Sequence, residues 1–146
     1  SKSNQFNLTT KRYSNSEVQE LEDKPNFFTR QIRLKDVFGD NGMISVIICE
    51  KNIDVWSIET WLMSCRVLGR RVEEAALQDI VTHAKESGAS KLLGVYSPTD
   101  RNILVKDHYK KLGFTKISGK GENETWELDI TNYQSSSLPM SFKYAL

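Results

Sequence analysis

Arg66, Arg70 and Arg71 crowd around Gly69 in the stretch LMSCRVLGRRVEEAAL, residues 62–77. The stretch joins an apolar run to an amphipathic one, so the arginines fall at a strand-to-helix junction. The first N–H groups of a helix lack internal partners and its N-terminus carries a positive dipole. Guanidinium groups added there suit a phosphate or pyrophosphate, and Gly69 lets such a ligand reach the backbone. The loop residues of this candidate anion site are Arg66, Val67, Leu68, Gly69, Arg70 and Arg71. The alternative is a solvated turn whose arginines pair with Glu73 and Glu74.

A second stretch with chemical potential is NILVKDHYKKLGF, residues 102–114. Val105, Tyr109 and Leu112 share a helical face, which makes Tyr109 a core aromatic with its hydroxyl at an edge. His108 adjoins it and can approach a cleft, whereas His83 lies at the margin of its helix's apolar face and is expected to pack. Glu59, in the strand before the arginine loop, is the candidate base, with Thr60 and Trp61 beside it. Cys65 sits where arginines and a helix N-terminus would lower a thiol pKa, but no histidine is placed by sequence to assist it. Cys49 lies inside an apolar strand and is expected in the core. Arg101, Lys106, Lys110, Lys111, Lys116 and Lys120 form a basic run, either a solvated face or a dock for an acidic partner.

The elements that must position these residues are legible in outline. YSNSEVQELED predicts a short helix capped by Asn15 or Ser16. FFTRQIRLKD predicts a strand, GDNG (39–42) a turn built on Asp40, Asn41 and Gly42, and MISVIICE a second strand. KNID makes the next turn, and VWSIETWLM is a third strand with Trp56, Ile58, Thr60 and Leu62 on one side. Val72, Ala76, Leu77, Ile80, Val81 and Ala84 then recur at helical spacing, and the helix ends near Gly88. KLLGVYSP is a strand stopped by Pro98. A helix is predicted over 103–112 with Thr99 or Asp100 as cap, followed by strands near 114–118 and 125–130. The tail from Asn132 carries no clear periodicity. The outline is an antiparallel meander followed by a strand–helix–strand unit whose strands are parallel neighbours.

At 146 residues the sequence holds one domain, 1–146, with a single core. Its formal net charge of +1, with 38% hydrophobic and 27% charged residues, argues for a globular domain and against nucleic-acid binding. No apolar run approaches the length of a membrane helix, about 20 residues. Two cysteines and two histidines, scattered, give neither a disulfide framework nor a metal site, and a reduced, cytoplasmic setting is expected. The opening SKSNQFNLTT lacks a signal layout and an initiator Met, so a piece of a longer chain is expected.

Taken together, a meander, R-x-x-G-x-x at a strand-to-helix junction, and N-x-x-V-x-x-x-Y-x-x-x-G-F resemble the GNAT acyltransferase superfamily over residues 27–128. That resemblance implies an α/β fold with a mixed central sheet flanked by helices. It matches the 66–71 loop to the family's coenzyme A pyrophosphate loop, Q/R-x-x-G-x-G/A, with Arg66 and Gly69 in register. Arg71 departs from the pattern, standing where Gly or Ala is usual and either crowding the phosphate or adding charge to it. Tyr109 matches the general acid that protonates the departing thiolate, and Asn102 the residue that contacts cofactor or water.

SNQFNLTTKRYS, FGDNGMISV and WLMSCRVLGRRVE are similar, more narrowly, to the C-terminal domain of FkbH-like proteins, in which a phosphatase-like domain precedes a GNAT-like one. Members are associated with loading a glyceryl unit onto an acyl carrier protein toward methoxymalonyl extender units in polyketide biosynthesis. The implied ligand is CoA, acyl-CoA or the phosphopantetheine arm of an acyl carrier protein. The implied partners are that carrier and the phosphatase-like domain, with a small acyl thioester as substrate and no metal. No D-x-D-x-T occurs in the sequence, so phosphoryl chemistry is not expected from these residues. Acyl transfer on the arm is the leading expectation. A non-catalytic module that docks the carrier for its neighbour is the alternative.

Overall fold

The computed structural model describes residues 5–9, 13–36, 39–64, 71–119, 122–135, 137–138 and 140. Its organising strand is β4 (Val55–Ser64), a run of aromatic and branched residues buried at alternate positions. The meander forms as the alternation predicts: β2 (Phe27–Asp36), β3 (Gly39–Lys51) and β4 pair antiparallel in sequence order. A 15-residue helix, α2 (Val72–Glu86), then crosses over, and β5 (Lys91–Tyr96) returns parallel to β4. Strands β6 (Thr115–Ser118) and β7 (Glu124–Asp129) complete the order β2-β3-β4-β5-β7-β6. A short N-terminal strand, β1 (Gln5–Asn7), pairs with β4 outside that path.

Four local expectations need correction. The pairing of β3 with β4 steps from Ile48/Thr60 to Cys49/Ile58, leaving Glu59 as the extra residue of a β-bulge. A bulge reverses the phase of alternation. Trp56 and Ile58 therefore share the α2-side core with Trp61 and Met63, while Thr60 falls opposite Ile48. GDNG is not the turn but the irregular start of β3, with Gly42 at φ 73° and register shifts opposite it in β2. Helix α1 (Asn15–Glu22) is capped by Ser14, whose hydroxyl accepts from Glu17 N–H while the Glu17 carboxylate accepts from Ser14 N–H. The helix predicted over 103–112 is two pieces, a 3₁₀ turn (Ile103–Val105) preceded by Asn102 and a four-residue helix, α3 (His108–Lys111).

The core lies between the sheet and α2. Trp61, Met63, Leu77, Ile80 and Leu92 are almost fully buried there, each contributing about 1.5–3 kcal/mol. Cys49 is buried among them, and burial pushes its thiol pKa up. His83 packs as expected, against the Phe28 ring at 5.3 Å and beside Arg30, whose Nε donates to Asp79 Oδ2 at 2.6 Å. Among the described residues no helix is long and apolar enough to cross a membrane.

Candidate active site

Strands β4 and β5 part company early. Their parallel pairing runs from Val55/Lys91 to Ile58/Gly94, whereas β4 continues through the bulge to Ser64. Beyond the bulge β3 holds one edge of β4 up to the Ser45/Met63 pair, and the other edge faces the split. Tyr109 marks where the split begins: a Cβ on Gly94 would clash with the edge of its ring. The ring is 1% exposed and packs on Phe114 at 5.0 Å and His108 at 5.0 Å. His108 in turn meets Trp61 edge-on at 4.3 Å.

These packed rings carry three buried polar atoms, Trp61 Nε1, His108 Nε2 and Tyr109 OH, none with a hydrogen-bond partner among the described residues. Buried polar groups are ordinarily satisfied, so such a concentration is unusual. Burial, with the nearby Cys49, holds the Tyr109 phenol well above its usual pKa, so it stays protonated at neutral pH. Burial, helped by Lys111, lowers the His108 imidazole to about 3, so it is neutral.

The split is filled by the chain itself. Strand β1 lies along the β4 edge with Gln5 opposite Ser64, Phe6 opposite Met63 and Asn7 opposite Leu62. Leu8 continues it, donating from its N–H to Trp61 O at 3.1 Å and accepting from Ser97 N–H at 2.7 Å. Asn102 holds this wedge from the β5 side. Its Nδ2 donates to Asn7 O at 2.9 Å and Ser97 O at 2.8 Å, and its Oδ1 accepts from Thr99 N–H at 2.8 Å and Tyr96 OH at 3.1 Å. Glu59 is half-buried at the bulge, where its carbonyl accepts from the Thr9 hydroxyl at 3.3 Å.

Comparison with known proteins identifies the architecture. No family model matches the sequence, and no curated protein does. Solved structures do match. The ribosomal-protein-S18-alanine N-acetyltransferase of Escherichia coli superposes with a TM-score of 0.61 at 12% identity, over 91% of this chain and 85% of that one. The GNAT domain of S. lividans PAT gives 0.61 at 16% identity, over 81% and 70%. The PaiA N-acetyltransferase of Thermoplasma acidophilum, in complex with coenzyme A, gives 0.62 at 13% identity, over 79% and 67%. The chain has the GNAT fold.

Within this GNAT fold, Tyr109 lies at the head of the split, Glu59 at its bulge, and Asn102 behind the wedge. Arg66, Val67, Leu68, Gly69 and Arg70 of the expected phosphate loop, with Cys65, fall outside the described residues. Arg71 is described: it precedes α2 at φ 65°, and its Nε and Nη2 donate to the Glu74 carboxylate at 3.1 and 3.0 Å. Arg101, Lys106, Lys110, Lys111 and Lys116 are all exposed, with Leu104 beside them 76% exposed; Lys120 is not among the described residues. Among the described residues no cluster of His, Cys, Asp or Glu could hold a metal.

The sequence marks Trp61 only as a neighbour of Glu59 and gives residues 5–9 no sign of a place in the sheet. One signal was available: Gly94 in the middle of the strand KLLGVY marks a close approach, which Tyr109 makes.

Proposed function

We propose that this domain carries out acyl transfer from a thioester borne on a phosphopantetheine arm, with the arm lying along the β4 edge in the split. The observation that carries this reading is the parting of β4 from β5 after Ile58/Gly94, with the Tyr109 hydroxyl buried at that point. An edge strand offers main-chain N–H groups fixed in direction, suited to the oxygen of a tetrahedral intermediate. The acceptor nucleophile attacks the thioester carbonyl and loses its proton to Glu59. The C–S bond breaks, and the departing thiolate takes the phenolic proton of Tyr109. The raised phenol pKa keeps that proton in place until it is needed. The 66–71 loop is assigned the phosphate, and no metal takes part.

Both CoA and a carrier-protein arm present the same pantetheine chemistry. The resemblance of NQFN and the neighbouring stretches to FkbH-like proteins favours a carrier in polyketide extender-unit synthesis, beside a phosphatase-like domain, in the cytoplasm. The exposed lysines around Leu104 suit an acidic carrier. A second reading, a non-catalytic docking module, is favoured by one observation: Asn102 already spends its side-chain hydrogen bonds on the chain itself.

Titration calorimetry with CoA, holo carrier and apo carrier tests the binding half, with Arg66→Ala as control. Turnover of Tyr109→Phe tests the chemistry. Lost turnover with retained binding supports transfer, and unchanged turnover supports the docking module.

A further inference from the structure

We propose that β1 is a built-in competitor for the split: residues 6–8 must leave the β4 edge before a pantetheine arm can lie there. The inference rests on the acyl-thioester reading above and adds a regulation to it. Since β3 occupies the other edge of β4 up to Met63, β1 can only sit on the edge that faces β5. A strand edge offers its N–H and C=O groups to one partner at a time. The Trp61 carbonyl that would flank the arm already accepts from Leu8, and the Ser97 N–H across the split already donates to Leu8.

The wedge is built to be held and to be released. It has only three paired residues, yet Leu8 at its end is wholly buried, so the closed form is the resting one. Asn102 is the latch. Of its side-chain hydrogen bonds only the one to Asn7 O reaches the wedge, while those to Ser97, Thr99 and Tyr96 stay within one wall. Release therefore leaves that wall intact. Behind it, Trp61 Nε1, His108 Nε2 and Tyr109 OH have no hydrogen-bond partner among the described residues, so they are polar atoms on which an incoming thioester could draw. A slot open in about one molecule in ten to one in a hundred would weaken apparent affinity by that same factor.

The test locks and loosens β1. The Leu8/Trp61 pair is hydrogen-bonded, so by antiparallel alternation Phe6/Met63 is also hydrogen-bonded, and Gln5/Ser64 is one of the close, non-bonded pairs. Gln5→Cys with Ser64→Cys, in a Cys65→Ser background, therefore places two thiols within disulfide reach. Phe6→Pro removes a ladder N–H instead. Calorimetry with CoA should show the oxidised cross-linked protein binding at least about tenfold more weakly than its reduced form, and Phe6→Pro about tenfold more tightly than the unaltered chain. Equal affinity of the oxidised and reduced forms, or of folded Phe6→Pro and the unaltered chain, overturns the competitor, and with it the arm's place on the β4 edge, while leaving acyl transfer itself as the reaction. Absence of binding by CoA and by holo carrier alike in every form, Phe6→Pro included, overturns both.

Discussion

The ring of Tyr109 occupies the volume that a side chain at Gly94 would need. Gly94 is also the last β5 residue paired with β4, so this contact sets the buried phenol at the point where the sheet divides. A glycine inside a strand weakens it, and here the vacancy is used to seat an aromatic ring.

Gly94→Ala should therefore lose roughly 1–3 kcal/mol of stability through overpacking. Denaturant melts measure it directly. Combining the substitution with Tyr109→Leu should recover part of the loss, because the ring is what the new methyl meets. A fully additive double variant would contradict the shared-volume account.

Asn102→Ala should be more damaging, by about 2–4 kcal/mol, since it strands buried partners in the wedge and in the β5-side wall. Asn102→Asp should not rescue it, because a carboxylate keeps the acceptor but gives up both donors. A melt within about 0.5 kcal/mol of the unaltered protein would show the network to be dispensable.

His108 gives the domain an acid sensitivity of stated sign. The unfolded chain binds a proton near the ordinary imidazole pKa of 6.5, whereas the folded one resists until about 3. The contribution to stability is thus whole above 6.5 and drains away as the pH falls from there toward 3. The loss should reach about 2 kcal/mol by pH 5, and His108→Phe should remove that part of the slope. A slope unchanged in the variant would mean that the imidazole is not protected as described.

Arg71→Gly should leave the fold as stable or raise its stability by up to about 1 kcal/mol, because a non-glycine residue at φ 65° is strained. The lost pair with Glu74 is exposed and worth little. The position at which Arg71 departs from the acyltransferase pattern is thus a left-handed one, a physical reason for Gly to be favoured there.

Much of this architecture is legible in the residues. The β4–α2–β5 unit carries strong periodicity over long segments, and its parallel pairing follows from the crossover alone. The Trp61 face is not legible, because one bulged residue, Glu59, inverts every side chain after it and leaves no mark in composition. Nor is β1: three residues have no period to read, and their partners lie more than fifty positions away along the chain. The 103–112 helix breaks because Ile103 and Leu104, counted as apolar, face outward, while the buried Asn102 is tied to Asn7 of the wedge and to Ser97. Asn102 and Tyr109 could be singled out as important by pattern, but only the fold brings Trp61 against Tyr109 and its neighbour His108.

The most direct test of the acyl-arm account is amide NMR of the labelled domain on addition of CoA. The account predicts large shifts at residues 61–64 of β4, with loss of hydrogen-exchange protection at residues 6–8. Saturating CoA that leaves the amides of 61–64 where they were would contradict it, because no arm would then lie along the β4 edge.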